Sequence, residues 1–104
     1  MAVDGTWRLA LDLPAGQREA TVRLTAVGKL VSGSWTDGDE SRLFDDGRVE
    51  GDRVRWTVST PGATGPVDVL FDGTVRGNSI SGTVEVSVEG AAGEFRGERI
   101  SPTR

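Results

Sequence analysis

Two groups of residues in this chain have the types and spacing that could do chemistry. The first is the acidic pair in "RLFDDGRVEG" (Arg42 to Gly51), a segment that matches "VLFDGTVRG" (Val69 to Gly77) but carries one additional residue. Two registers follow. If Phe44 corresponds to Phe71, the surplus aspartate, Asp45 or Asp46, sits in a β-bulge, and bulges re-aim side chains next to sites. If the downstream half sets the register, Asp45 takes the inward place of Phe71. A carboxylate enclosed by apolar neighbours has a raised pKa unless it is paired, for instance with Arg99, and can then act as a general base or anchor a ligand. The bulge is the favoured register. The inward Asp45 is the one that would make an enzyme.

The second group is aromatic. Trp7, Trp35, Trp56, Phe71 and Phe95 fall on one parity of their segments, and Gly33 and Gly82 fall on the same parity without a side chain. One reading is a pocket walled by the rings, with floor space at the glycines, suited to a flat apolar ligand. The other is a filled core in which the glycines make room for the rings, large against small.

Other clusters read as ordinary surface. Asp37, Asp39 and Glu40 surround Gly38 in a turn without the ligand ladder of a calcium loop. Glu94, Arg96 and Glu98 alternate as outward cross-strand partners. Ser32, Ser34, Ser79 and Ser81 have no histidine to activate them, because the chain has none.

These residues need a scaffold, and its pattern is all-β. Period-two runs bounded by Gly, Asp, Asn or Pro recur every eight to twelve residues, as in a barrel or sandwich of short antiparallel strands. They predict eight strands: Thr6 to Leu13, Arg18 to Val27, Leu30 to Thr36, Ser41 to Glu50, Arg53 to Ser59, Val67 to Arg76, Ser79 to Val88 and Gly93 to Ile100. Turn residues stand between them at Pro14-Ala15-Gly16, Gly28-Lys29, Asp37-Gly38-Asp39, Gly51-Asp52, Gly77-Asn78 and Gly90-Ala91. Thr60 to Pro66 is the one longer loop expected.

The chain also repeats itself. "VEGDRVRWTV" (Val49 to Val58) and "VRGNSISGTV" (Val75 to Val84) share apolar, glycine and turn positions, so two hairpins are versions of one unit. Hairpins of matched length suit a closed up-and-down barrel, because closure removes exposed edges. The repeat assigns Val31, Val54, Val58, Ile80 and Val84, with Leu9, Leu11, Val22, Leu24, Val67, Val69 and Val86, to the inner face beside the aromatic group. Arg8, Asp12, Arg23, Arg53, Arg55, Asp68, Asp72, Glu85 and Ser87 fall outside.

Composition removes whole classes of function. The 104 residues make one domain, 1–104, and include no cysteine, histidine or tyrosine, which excludes disulfides, thiolate metal sites and the commonest general base. No metal, nucleotide or redox cofactor has ligands here. A net charge of -4 with interspersed signs lacks the basic face of a nucleic-acid binder. No basic stretch precedes an apolar run at the N-terminus, and no 18-residue apolar run occurs, so neither a signal peptide nor a membrane span is expected, and the cytoplasm is the default location. Eleven arginines beside the single Lys29 match the usage of a GC-rich bacterial genome.

Gly5-Thr6-Trp7 at the start of the first strand, with Arg99 near the end of the last, is similar to the pattern of the calycin barrels: lipocalins, fatty-acid-binding proteins and avidins. In those families a G-x-W tryptophan closes one barrel end and a cation from the final strand stacks on it, which implies a Trp7–Arg99 contact here. The chain also resembles a group of small bacterial barrels, standing alone or appended to hydrolases. The second part of their pattern is carried here by Gly73, Val75, Gly77, Ile80, Gly82, Thr83, Val84, Gly93, Phe95, Gly97 and Arg99. The chain is much shorter than lipocalins, which bears on the size of any cavity.

Three functions remain. The first is a binding barrel that takes a small apolar or aromatic molecule in its interior. The second is a cofactor-independent isomerase or cyclase, in which a shaped cavity folds a reactive substrate with Asp45 or Arg99 as its polar assistants. The third is a structural or accessory domain serving a homo-oligomer or a partner enzyme.

Overall fold

A computed structural model of the chain describes residues 3–13, 16–38, 40–62, 65–87 and 91–101, with the side chains of 60–62, 91 and 101 excepted. Eight strands follow in order: β1 Gly5–Leu13, β2 Gly16–Val27, β3 Leu30–Asp37, β4 Glu40–Glu50, β5 Arg53–Gly62, β6 Gly65–Arg76, β7 Ser79–Val86 and β8 Ala91–Ser101. Each pairs antiparallel with its neighbour in sequence, and β8 returns to β1, which closes an up-and-down barrel. The eight expected strands are therefore all present. Asp39 and parts of the turns at Pro14-Ala15-Gly16 and Gly90-Ala91 lie outside the described residues.

The period-two pattern becomes the wall. Along β1, Trp7, Leu9 and Leu11 are buried while Arg8, Ala10 and Asp12 are exposed, and the same alternation continues round the ring. The two repeated hairpins, β4–β5 and β6–β7, turn on Gly51-Asp52 and Gly77-Asn78, with Glu50 opposite Arg53 and Arg76 opposite Ser79. Gly51 and Gly77 have φ of +59° and +61°, whereas Asp52 and Asn78 keep negative φ. A glycine first in a two-residue loop gives a type II′ turn, whose twist matches the flanking strands.

The core is apolar throughout. It contains the inward set expected from the sequence except Val67, Val69 and Val86, which are only half-buried, and adds Val3, Ala20, Phe44, Val49 and Val75. Glycines on the inner face admit rings and backbone. A Cβ on Gly73 would lie 2.7 Å from Phe95 Cζ, and one on Gly33 would lie 3.0 Å from Phe44 Cζ.

In place of the long loop expected at Thr60 to Pro66, β5 and β6 stay paired through Pro61–Pro66 and Gly62–Gly65. The phase of the ladder explains how two prolines sit there. Val75 N donates to Asp52 O at 2.8 Å, so hydrogen-bonded pairs recur at every second position from there, and Pro61–Pro66 falls between them. Neither proline is then asked for a donor within this ladder, and Pro61 turns its missing N–H toward β4.

At Pro61, β5 has no ladder partner on that side among the described residues. β4 and β5 pair only at Arg48–Arg55, Val49–Val54 and Glu50–Arg53. Beyond these, Glu40–Gly47 of β4 and Trp56–Gly62 of β5 have no ladder partner across this line among the described residues, although β4 stays paired to β3 and β5 to β6. The separation begins where β4 carries one residue more than β3, between the pairs Gly33–Phe44 and Val31–Gly47. This is the β-bulge of the Asp45-Asp46 pair. Both aspartates are exposed, and with Pro61 they blunt the two unpaired edges.

Candidate functional site

The barrel has two unlike ends. At one, Trp7 is wholly buried and its Nε1 donates to Val3 O at 3.0 Å. The Arg99 guanidinium lies 4.6 Å from the centroid of the same indole, the contact the G-x-W resemblance implies. A cation on an indole face contributes about 0.5–2 kcal/mol. Arg99 Nη2 also donates to Gly77 O at 3.4 Å, and Ala26 N donates to Asp4 Oδ1 at 2.9 Å, tying the entry segment down on β2. Both the face and the N–H of Trp7 are engaged, so this end is stoppered.

A layer of rings crosses the middle of the barrel. Trp56 stacks on Phe71 at 4.9 Å and 9° and on Phe44 at 6.1 Å and 18°. Trp35 meets Phe71 at 4.8 Å, and Phe95 stands edge-on to both Trp56 and Phe71 at 5.8 and 5.4 Å. Offset-stacked and edge-to-face pairs at these separations are the favoured aromatic geometries. The five rings come from β3, β4, β5, β6 and β8, so the layer spans the interior.

Above the layer, at the second end, the inward positions open toward solvent. Leu13, Val67, Val69 and Val86 continue the inner register of β1, β6 and β7 and are half-buried, in contrast to the fully buried Val58 and Val84 beneath them. On the opposite side the inner register of β2, β3 and β4 carries Arg18, Asp37, Glu40 and Arg42, opposite Leu11, Ala20, Asp37 and Trp35 in the pairing pattern or next to it. They form two ion pairs, Arg18 Nη2–Asp37 Oδ2 at 2.8 Å and Arg42 Nη2–Glu40 Oε2 at 3.1 Å. The open end, or cup, is thus lined by half-buried apolar positions on one side and by a charged arc on the other. Among the described residues two donors in this region are buried without a hydrogen-bond partner, Trp56 Nε1 in the ring layer and Arg42 Nε.

The residues singled out in the sequence are not all in one place. Trp35, Trp56, Phe71 and Phe95 come together as the floor of the cup. Trp7 and Arg99 belong to the stoppered end. Asp45 is exposed in the bulge on β4, and β4 lies across the ring from β8, so Asp45 and Arg99 form no pair. The inward register for Asp45 thus gives way to the bulge: Phe44 holds the inner position, and an aromatic ring gains more from the interior than a carboxylate that would have to be desolvated. Asp45 instead borders a shallow outer groove with Arg23, Ser34 and Leu43. The space above Gly33 is taken by the Phe44 ring. A Cβ on Gly82 would overlap the Asp72 carbonyl oxygen, so neither glycine leaves open floor.

Phe44, Arg42 and the Arg18–Asp37 pair were not among the residues singled out. Phe44 is legible once the bulge register is adopted, and Arg42 then follows, two residues earlier on the same face. The pairing of Arg18 with Asp37 depends on how far β2 and β3 extend, and no local signal carries it.

Elsewhere the charged surface is ordinary, with one strong pair. Arg53 grips Asp72 through Nε–Oδ1 at 2.9 Å and Nη2–Oδ2 at 2.6 Å on the outer wall. That bidentate bond holds the Asp72 carboxyl below the usual carboxylate range, against a smaller opposing desolvation, and raises the Arg53 guanidinium. Among the described residues no three metal-ligating side chains cluster, and no helix is long and apolar enough to cross a membrane. No protein-family model matches the chain, and no curated protein matches its sequence.

Proposed function

We propose that this chain is a small-molecule-binding barrel of calycin-like design, located in the cytoplasm, whose occupant is an apolar or aromatic molecule seated in the cup above the ring layer. The observation that carries this reading is the asymmetry of the two ends. One is sealed by Trp7, Val3 and Arg99, whereas the other leaves Leu13, Val67, Val69 and Val86 half-buried on inward positions, where a ligand would complete their burial. The stoppered end supports the calycin-like part of the reading. The catalytic alternative has less to work with: the carboxylates on the inner register at the open end, Asp37 and Glu40, are held by Arg18 and Arg42, and Asp45 lies outside.

The test is a titration of the purified protein with small aromatic compounds, followed by tryptophan fluorescence and repeated on Val69→Trp, which fills the cup from a half-exposed position. Saturable binding to the parent protein and at least tenfold weaker binding to the folded variant are expected. Equal binding to both would place the occupant elsewhere and remove this reading.

A further inference from the structure

Trp7 and Trp56 differ in what their N–H groups do. Trp7 Nε1 is bonded to Val3 O at 3.0 Å, but Trp56 Nε1 is buried without a partner in a side chain only 2% exposed. A buried donor without an acceptor is rare in folded proteins, and each instance asks for a cause. Among the described residues no acceptor reaches it, and its near neighbours are rings: Phe44 and Phe71 flank the indole and Phe95 stands edge-on to it. With stacking neighbours on β4 and β6, Trp56 has its edge left to offer, and the polar atom of that edge is the N–H.

Resting on the binding reading above, we propose that Trp56 Nε1 is a specificity donor, and that the ligand is a flat apolar molecule bearing one neutral acceptor, a ketone or amide carbonyl. The charge of the acceptor follows from the surroundings. The ring layer holds no cation, and a carboxylate carried into it would lose its hydration without a counter-charge. The arginines of the rim, Arg18 and Arg42, already engage Asp37 and Glu40 through their Nη2 atoms, which offsets their charge and leaves Arg42 Nε as the one buried donor among them without a partner. A neutral carbonyl accepts one hydrogen bond at little desolvation cost, and an analogue lacking it leaves the N–H unsatisfied, which is how buried polar groups discriminate ligands.

The probes are 1-indanone, indane and indane-1-carboxylate, matched in shape and different in acceptor. Binding is followed by nuclear magnetic resonance of the ¹⁵N-labelled protein, with the Trp56 indole signal assigned from its loss in Trp56→Phe. Indanone should bind roughly 3- to 10-fold more tightly than indane, the range expected for one net hydrogen bond. It should also move the Trp56 indole proton downfield, which indane should not. In Trp56→Phe, where the ring stack is kept, the preference for the ketone should vanish while indane still binds. Equal binding of indanone and indane to the parent protein, or a ketone preference that survives Trp56→Phe, would overturn the role of Trp56 and leave the cup standing. Tightest binding of the carboxylate would overturn the neutral acceptor. Failure of all three to bind would remove the cup itself as a site for such molecules.

Discussion

Replacing Gly82 with alanine should be among the most damaging single-methyl additions in this protein. Gly82 stands opposite Gly73 in the β6–β7 ladder, and its backbone does not need glycine for its dihedrals. The need is for space. A Cβ there would overlap the Asp72 carbonyl oxygen and lie 2.5 Å from Gly73 Cα, where unstrained carbon contacts are about 3.5–4.0 Å. Both obstacles are backbone, so no side chain can swing aside, and β6 and β7 must part by about 1 Å locally. Ser87 N donates to Asp68 O at 3.0 Å, which sets Asp72–Thr83 and Thr74–Ser81 as the hydrogen-bonded pairs on either side. Opening the ladder by that amount takes their bonds beyond the useful range. Overpacking together with weakened bonds places the cost at about 3 kcal/mol. For a domain of this size that is a fall in Tm of roughly 12–24 °C. Thermal unfolding followed by circular dichroism reads it directly, with Ser81→Ala as the neighbouring exposed control. A fall below about 4 °C with an unchanged spectrum would refute the packing argument. It would revive Gly82 as open floor, where the added methyl would instead weaken ligand binding.

Three further outcomes follow from the same geometry. Trp7→Phe removes the bond to Val3 O and part of the stopper, and should lower stability by about 2 kcal/mol in chemical denaturation, with faster hydrogen exchange at Ala26, whose amide is held by Asp4 in the same entry segment. Asp72→Asn should lower Tm at neutral pH. Because the folded pKa of Asp72 is depressed, its contribution is fully present above the ordinary carboxylate value of about 4 and is lost as pH falls through the lower folded value. The melting curves of parent and variant should therefore converge below about pH 4, and a constant gap down to pH 2 would contradict the assignment. Asp45→Asn should leave stability within about 0.5 kcal/mol, as befits an exposed residue, and should leave indanone binding unchanged in the same titration.

Much of this architecture is legible in the residue order. The alternation in "TWRLALDL" specifies an inner and an outer face whatever lies beside it, and the repeated hairpins state both strand length and turn type. The cup is only partly legible. Trp35, Trp56, Phe71 and Phe95 share a parity, so their meeting could be foreseen, but the fifth ring, Phe44, is hidden by the extra residue that displaces the register of β4. A bulge is one residue of surplus, and a sequence does not say on which side of it the count should be kept. Two prolines and two glycines between Thr60 and Pro66 look like a loop because each one weakens a strand. What overrides that preference is the phase of a ladder set by the Gly51-Asp52 hairpin turn, which leaves Pro61 with nothing to bond. Such long-range phase, like the tie between Arg18 and Asp37, becomes visible only once the strands are in register.

The uneven fastening of the ring has a consequence for traffic and for time. Every ladder but one has at least seven pairs, and the remaining one, between β4 and β5, has three. Local opening takes the route that breaks fewest bonds, so the sheet parts along Glu40–Gly47 and Trp56–Gly62 while the stoppered end keeps its shape. The molecule is then a strip held by one short clasp, with the Trp56 indole just inside it. On the binding reading proposed above, how wide a guest can be, and how long it stays, is governed by the lifetime of that clasp more than by the diameter of the mouth.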